Sequence, residues 1–132
     1  MTYDVEKVNV VVGGVVLTGY AEGSMVSAER NEDSVLPHVG TKGEVAYAEN
    51  ADRTGKFTVT LAETSPHNIY LNRLATTKNS QVDVAIVSMN DHAVQVTGTN
   101  CRVLKPANVE VGREVGEREY EIFAAVMNFE EK

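Results

Sequence analysis

Apolar residues recur at every second position along much of the chain, and this period predicts β-strands. Near the start, valine occupies positions 8, 10 and 12, and Gly13 and Gly14 follow before another apolar run at 15–17. Two adjacent glycines can adopt the positive φ angles that a two-residue hairpin turn requires. The pattern therefore predicts that the chain opens with a β-hairpin.

Further strands are predicted in the middle of the chain. Residues 24–30 form a third strand, and β character resumes at 44–48. Phe57, Val59 and Leu61 alternate with smaller or polar residues, as in a strand with one buried face. The polar stretch 31–43 contains one proline and two glycines, so it is predicted to be a long loop, and 49–55 a turn.

Only one helix is predicted. Ser65 and Pro66 begin it, because serine can cap a helix and proline fits the first helical turn. Apolar residues then recur near helical spacing before the polar stretch 76–80. The residues expected to form the core that docks this helix on the sheet are Val59, Leu61, Ile69, Leu74, Val84 and Ile86.

The second half of the chain is predicted to be β again. The β-like segments 82–87 and 93–97 flank the turn residues 89–92 as a second hairpin, and 102–104 continue the sheet. Residues 122–127 are apolar without alternation, which is typical of a strand covered on both faces. The cover is either a second layer of the same subunit or a neighbouring subunit, and both alternatives stay open.

The composition is that of an ordinary globular protein. The chain has 132 residues, of which 42% are hydrophobic and 23% charged, so we expect a single domain over 1–132. No apolar run reaches the length of a membrane span, and no charged start precedes an apolar stretch as in a secretory signal. We therefore expect no membrane anchor, and assembly in the cytoplasm.

Acidic residues outnumber basic residues by 19 to 12, which gives a net charge of −7. The excess is concentrated in the first 50 residues, and no basic stripe is visible. Because binding to phosphates needs clustered Lys and Arg, direct nucleic-acid binding is disfavoured. Taken alone, the acidic excess favours a solvated face that aids solubility.

The chain lacks the common signatures of enzymes. It has no phosphate-binding glycine loop, no nucleophile elbow and no His-Glu-x-x-His helix. His38, His67 and His92 are not at metal-ligand spacing, and Cys101, the single cysteine, is expected to be a buried filler. We expect no catalytic residue, no metal and no cofactor.

Several segments stand in a distinctive order: VNVVVGGVVLTGY at 8–20, AERNEDSV at 28–35 with HVGTKGEV at 38–45, RTGKFTVTL at 53–61 with TSPHN at 64–68, and KPANVEVGRE at 105–114 before the last strand. Their order and spacing resemble the tail tube proteins of contractile-tailed bacteriophages, which are related to the tube proteins of R-type bacteriocins and type VI secretion systems. The resemblance covers nearly the whole chain.

The resemblance implies a mainly β fold with one short α-helix, a β-barrel or sandwich of the phage tail tube type. Six subunits would form a ring with a continuous inner β-barrel, and the rings would stack into a hollow tube inside a contractile sheath. The implied partners are other copies of the chain, the sheath, the tail terminator, the baseplate and the tape-measure protein. DNA would pass through the lumen into the host cell without specific binding, and the protein would be located in the virion.

Two sets of candidate residues follow from the resemblance. Residues 31–43 match by position the loop that contacts the next ring, and the candidate inter-ring residues are Arg30, Glu32, Asp33, His38 and Lys42. An acidic lumen would repel DNA phosphates. The candidate lumen-facing acids are Glu22, Glu29, Glu44, Glu49 and Asp52. Glu44 and Glu49 should face opposite sides of a regular strand, so only part of the set can be luminal unless a bulge or turn intervenes, and of these two we favour Glu44.

Two alternatives are weaker. One is a tube subunit of a DNA-free bacteriocin-like or type VI-like injection system. The other is a small monomeric β-barrel that binds a ligand, which would need an apolar pocket and usually some aromatic residues. The chain has no Trp, five Tyr and three Phe, so the sequence gives this second alternative little support.

Overall fold

The computed structural model describes residues 8–20, 26–88, 94–109, 112 and 116–131, with only the backbone of Val94 and Glu131. Within these residues the fold is mainly β with one short helix. The strands are β1 (Val8–Val12), β2 (Val15–Val16), β3 (Val26–Arg30), β4 (Val35–Val39), β5 (Val45–Glu49), β6 (Gly55–Ala62), β7 (Val82–Ser88), β8 (Val94–Val103), β9 (Glu117–Ala124) and β10 (Val126–Glu131), and the helix is α1 (Asn68–Thr76).

Two antiparallel sheets share the long strand β8. Sheet A has the order β2-β1-β7-β8, and β10 pairs with β8 as well. Sheet B has the order β8-β9-β6-β3, in which β8 contributes only Arg102 and Val103. Across the described strands this path is open, with β2 and β3 at its ends, so the sheets do not close into a barrel by themselves.

The core lies between the two sheets and consists of the inward-facing residues of alternating strands. β6 shows the alternation most clearly, since Phe57, Val59 and Leu61 are buried and the residues between them are half-buried. The buried apolar residues are Val10, Val12, Leu17, Phe57, Val59, Leu61, Leu71, Val84, Val96, Cys101, Val103, Tyr120, Ile122, Ala124 and Met127. The predicted core positions Val59, Leu61 and Val84 are confirmed, and Leu74 and Ile86 pack against this core.

Both predicted hairpins are present. β1 and β2 pair through Val12 and Val15, and Gly13 and Gly14 of the turn have φ angles of 58° and 85°. β7 and β8 also pair antiparallel, while the residues that connect them, including His92, lie outside the described part of the chain.

The helix begins at Asn68, three residues after Ser65, where the sequence predicted its start. His67 is the N-cap, and its side chain makes no capping hydrogen bond, so the prediction of Ser65 as the cap is wrong. The Ser65 hydroxyl instead donates to the Thr18 carbonyl oxygen at 2.6 Å, and the Thr18 amide donates to Nδ1 of His67 at 3.0 Å. Ser65 and His67 therefore hold the start of the helix against Thr18, just after β2.

The prediction that Ile69 belongs to the core is wrong, because this side chain is 68% exposed. Since α1 starts at Asn68, the face that turns inward contains Asn68 and Leu71, three residues apart, with Leu74 and Ala75 at its end. Leu71, which is fully buried, anchors the helix in the core.

The prediction that 31–43 is a long loop is also wrong, because β4 lies within this segment. β4 pairs with β5 in a separate two-stranded sheet, in which Pro37 is opposite Tyr47. Both strands of such a sheet are edge strands, so proline is tolerated there although it has no N–H to donate. The turn is closed by hydrogen bonds from the Gly40 amide to the Glu44 carbonyl oxygen (2.7 Å) and from the Gly43 amide to the Gly40 carbonyl oxygen (3.0 Å).

The apolar C-terminal segment is divided between two strands. Tyr120, Ile122 and Ala124 alternate along β9 and are buried, and the bend at Ala125 shifts this alternation so that Met127 is the next buried residue. Phe123 and Val126 point outward and are each 38% exposed. Among the described residues, no second layer of the subunit covers these two side chains. The sequence left two possibilities for what covers this segment, a second layer of the same subunit or a neighbouring subunit. The neighbouring subunit stays a prediction.

Candidate functional site

The outward side of sheet B is a polar surface, which we call the sheet B face. The strand register identifies the residues of this face. They alternate with the buried residues of β6 and β9, or they lie directly opposite a residue that does so on the neighbouring strand. They are Ser27, Glu29, Lys56, Thr58, Thr60, Arg102, Glu117, Glu119, Glu121 and Phe123. Four carboxylates outnumber one ammonium and one guanidinium group, so this face is negative.

Lys56 lies between two of these carboxylates. Its Nζ atom is 3.6 Å from Oε1 of Glu29 on β3 and 3.9 Å from Oε1 of Glu121 on β9. All three side chains are at least one-third exposed, so each ion pair contributes little to stability. The main consequence of these contacts is that the charge of Lys56 is already neutralised by its neighbours.

The three glutamates of β9 were not among the residues predicted from the sequence. Glu117, Glu119 and Glu121 occupy alternate positions, and in a strand such residues point to the same side. The period of two was therefore visible in the sequence. It was overlooked because Arg118 lies within the same run; its side chain points inward and is 3.5 Å from Oε1 of Glu63.

A groove of about 340 Å³ runs beside β9 on this side of the molecule. It is lined by the three glutamates together with Lys105, Ala107 and Asn108. The groove opens because the chain after β8 follows β9 only as far as Leu104, whose amide donates to the Glu121 carbonyl oxygen at 3.0 Å. Pro106 then has no N–H with which to continue the pairing.

A second surface is the projecting hairpin, which we define as residues 35–49. Every residue of β4 and β5 is exposed except Ala48, which is half-buried. The exposed residues include Val39 and Tyr47, at 71% and 74% exposure. Val35, Pro37 and Val39 alternate with Leu36 and His38 along β4, so both faces of the projecting hairpin carry apolar groups.

The structure distributes the predicted inter-ring residues along this hairpin and its base. Glu32 and Asp33 are exposed just before β4, His38 is exposed opposite Ala46, and Lys42 is exposed in the turn.

Arg30 is different, because it lies below the projecting hairpin and is partly buried. Its guanidinium donates to the Ser34 hydroxyl and to the Met127 carbonyl oxygen, both at 3.0 Å, and stands 5.9 Å from the centre of the Phe129 ring. Arg30 therefore fastens the base of the projecting hairpin to β10.

The predicted lumen-facing acids do not form one cluster. Glu29 lies on the sheet B face, whereas Glu44 adjoins the turn of the projecting hairpin and Glu49 ends β5. Asp52 lies in the connection between β5 and β6. Glu22 lies outside the described residues.

Asp52 organises its own turn. Its Oδ1 atom accepts hydrogen bonds from the hydroxyl and the amide of Thr54, at 2.6 and 2.8 Å. These two bonds hold the pKa of the Asp52 carboxyl below its ordinary value. The contacts of Asp52 are thus those of a turn residue.

Other kinds of site are not found in the part of the chain that the structure describes. No group of three or more His, Cys, Asp or Glu is placed to hold a metal ion. The helix there, α1, is too short to cross a membrane. Cys101 is buried in the core, and desolvation raises the pKa of its thiol to about 11.

Comparisons with solved structures extend over nearly the whole chain. A chain of the sheath-tube complex of an extracellular contractile injection system (PVC) in its extended state has a TM-score of 0.63 and 13% identity, with 98% of this chain and 91% of that chain covered. A chain of the sheath/tube terminator of the same kind of system has a TM-score of 0.63 and 11% identity, with coverages of 98% and 97%.

The terminating cap of the anti-feeding prophage (AFP) tube gives a TM-score of 0.62 at 11% identity, with 100% of this chain and 93% of that chain covered. At these identities the likeness shows the fold alone. No curated protein sequence matches the chain.

A family model described as "Bacteriophage PhiTE tail tube protein" matches residues 1–105, which is most of the chain. The fold, the resemblance in segment order and this match agree. The chain belongs to the phage tail tube protein family.

Proposed function

We propose that six copies of this chain form a ring, that rings stack into the tube of a contractile phage tail, and that DNA passes through the channel into the host cell. The observation that carries the proposal is the sheet B face, a negative surface with hydroxyl groups on the outward side of one sheet. A channel for DNA should not bind its cargo. Carboxylates repel phosphates within about one Debye length, which is about 8 Å at physiological ionic strength.

In this proposal the sheet B face lines the channel. β3 and β6 flank the projecting hairpin in sequence and are paired in sheet B, which agrees with the family plan in which the strands beside the stacking loop belong to the inner sheet. Of the predicted lumen-facing acids, the proposal keeps Glu29. It adds the three glutamates of β9.

The projecting hairpin supplies the contact between rings. An isolated two-stranded hairpin is only marginally stable in water, so a hairpin with apolar groups on both faces needs a partner. The exposure of Val39 and Tyr47 supports a neighbouring subunit as that partner. Exposed ion pairs of Glu32, Asp33 or Lys42 would add about 0.2–1 kcal/mol each, so their effect depends on repetition around the ring.

The remaining parts of the proposal follow from membership in a tail tube family. The subunit acts as a structural protein without catalysis. Its partners are the sheath, the tail terminator, the baseplate and the tape-measure protein, and it assembles in the host cytoplasm into the virion.

Replacement of the projecting hairpin tests its stacking role. The Asn50 amide donates to the Ser34 carbonyl oxygen at 2.9 Å, so residues 35–49 can be replaced by an Asn-Gly turn without moving either end. The replacement leaves the hydrogen bonds of Arg30 and Asp52 unchanged, because their partners lie outside residues 35–49. We expect a folded subunit that no longer forms long tubes by negative-stain microscopy, while the control Thr41→Ser still does. Long tubes from the hairpin-less protein would refute the stacking role.

A second candidate is the tube of a DNA-free injection particle, which the likeness to chains of the PVC and AFP particles favours. Purified particles distinguish the two candidates. Packaged DNA in particles that carry this tube supports the phage tail, and particles without DNA support the injection system.

A further inference from the structure

The projecting hairpin joins the rest of the subunit through two short segments, 30–34 and 50–54, which we call the stem. Hydrogen bonds hold the two segments together, since the Asn31 amide donates to the Thr54 carbonyl oxygen at 3.1 Å and the Asn31 side chain donates to the Thr54 hydroxyl at 3.0 Å. The side chains of the projecting hairpin itself are exposed, apart from the half-buried Ala48. Its direction therefore depends on what the stem contacts.

Both segments of the stem are hydrogen-bonded to the same residue of β10. The Met127 amide donates to the Arg53 carbonyl oxygen at 2.8 Å, and the Met127 carbonyl oxygen accepts a bond from the Arg30 guanidinium at 3.0 Å. The Met127 side chain is buried against Gly55, the first residue of β6. A Cβ atom at position 55 would overlap the Met127 sulfur, so β10 approaches this closely only because the residue is glycine. Met127 is therefore the point at which β10 supports the stem.

Arg30 joins three groups with one side chain. Its Nη1 atom donates to the Ser34 hydroxyl within the stem, and its Nη2 atom donates to the Met127 carbonyl oxygen. The guanidinium carbon also stands 5.9 Å from the centre of the Phe129 ring, two residues further along β10, where the ring attracts the cation. The planar fork of an arginine can bridge two acceptors while it lies over a ring, whereas the ammonium group of a lysine is a point charge without a plane.

From these contacts we infer that β10 sets the direction of the projecting hairpin, and that Arg30 acts in stacking as a positioning residue within its own subunit. The inference rests on the proposed function, because the projecting hairpin is the stacking element there. It gives the strand β10 an indirect part in stacking. It also differs from a direct ion pair between Arg30 and the next ring, since a lysine could replace arginine in such a pair.

Amide hydrogen exchange in the unassembled subunit tests the positioning role. The amides of Asn31, Asn50 and Met127 make the hydrogen bonds that close the stem and attach it to the body. In Arg30→Lys these three amides should exchange about tenfold faster, because the stem opens locally while the rest of the fold stays closed.

Two controls separate local opening from a general loss of stability. The Ala62 amide donates to the Gly19 carbonyl oxygen at 2.8 Å, away from the stem, and should keep its exchange rate in Arg30→Lys. Arg73→Lys makes the same substitution at an exposed position of α1 and should leave all of these amides unchanged. Equal acceleration at Ala62 and in the stem would contradict the positioning role.

A second substitution tests whether Arg30 acts through β10. Phe129→Leu keeps an apolar side chain but removes the ring, and it should speed exchange of the stem amides about two- to fivefold. Added to Arg30→Lys, it should cause no further acceleration, because the two side chains share one contact. Additive effects would show that Arg30 and Phe129 act independently, which contradicts the inference.

Tube formation tests the consequence for stacking. Arg30→Lys keeps the charge and Arg30→Gln removes it, and we expect both proteins to lose long tubes by negative-stain microscopy, at low salt as well as at high salt. If Arg30 paired directly with the next ring, the lysine protein would form tubes at low salt and lose them as salt rises.

The outcomes distinguish this inference from the proposed function. If the parent protein forms tubes and Arg30→Lys keeps both its tubes and its stem exchange rates, the inference is wrong and the stacking role of the projecting hairpin stands. Tubes that persist although the stem has opened would also overturn it. If the stem opens in Arg30→Lys but the parent protein forms no tubes, the positioning of the projecting hairpin by β10 is supported and the proposed function fails.

Discussion

The hydroxyl group of Tyr120 donates a 2.9 Å hydrogen bond to the side-chain oxygen of Asn68, and this bond joins sheet B to the start of α1 inside the core. The Asn68 amide nitrogen donates in turn to the carbonyl oxygens of Ala62, Glu63 and Ser65, at 3.0, 3.1 and 3.2 Å. The two N–H groups of one asparagine side chain, shared among three carbonyl oxygens, therefore tie the end of β6 and the following residues to the helix.

Removal of the Tyr120 hydroxyl should destabilise the subunit. Tyr120→Phe keeps the ring in the core but leaves the buried oxygen of Asn68 without its donor, at a cost of about 1–3 kcal/mol. Urea unfolding of the subunit measures the change. Tyr47→Phe is the matched control, since Tyr47 is 74% exposed, and it should alter the free energy of unfolding by less than about 0.5 kcal/mol. Equal effects of the two substitutions would contradict the role of the buried bond.

The two apolar residues near the start of α1 should respond differently to truncation. Leu71→Ala removes a fully buried side chain and should cost about 2–5 kcal/mol, whereas Ile69→Ala, at an exposed position, should cost about 0.5 kcal/mol or less. The same unfolding experiment separates them. A larger loss at Ile69 would show that the helix faces the sheet in another orientation.

The thiol of Cys101 should be unreactive in the folded subunit. Desolvation raises its pKa from 9.0 to about 11, so the thiolate that reacts with alkylating agents is scarce at pH 8. Labelling by iodoacetamide should be slow until urea unfolds the chain. Rapid labelling without denaturant would contradict the burial.

The same shift has a consequence for stability. Because the folded pKa is higher than the unfolded pKa, folding favours the neutral thiol. This contribution is fully present below about pH 9 and is lost as the pH rises towards 11. Cys101→Ala should flatten this alkaline part of the pH-stability profile, and an unchanged profile would show that other groups cause it.

Reversal of charge on the sheet B face should create a DNA-binding channel. Glu119→Lys would add a positive charge in every subunit, and tubes of this variant should retain DNA at low salt and release it as salt rises. Asp83→Lys makes the same charge change on sheet A, away from this face, and should have no such effect. If Glu119→Lys tubes retain no more DNA than the parent tubes, the sheet B face does not line the channel.

The strands could be predicted from sequence where the period of two is regular and one face is buried. Phe57, Val59 and Leu61 fixed both β6 and its buried side, because burial requires the same alternation that the sequence displays. Strand β4 of the projecting hairpin was missed, although β character was predicted at 44–48, because β4 has no buried face to impose such a pattern and because Pro37 is compatible with an edge strand as well as with a loop.

The surface acids were harder to predict than the core. Glu29 could be assigned to its strand, since it continues the predicted third strand. Glu44 precedes β5 and Glu49 ends it, and β5 pairs with β4, a strand that the sequence did not predict. The bend at Ala125 separates β9 from β10, and without it the apolar run 122–127 predicts one strand covered on both faces.

Helical reconstruction by cryo-electron microscopy of the protein concentrated alone tests the central claim most directly. We expect hollow filaments of uniform width, built from stacked six-membered rings, in which Thr58, Thr60 and the glutamates of β9 point into the channel. A protein that remains a monodisperse monomer at every concentration, or filaments in which sheet B faces outward, would contradict the account.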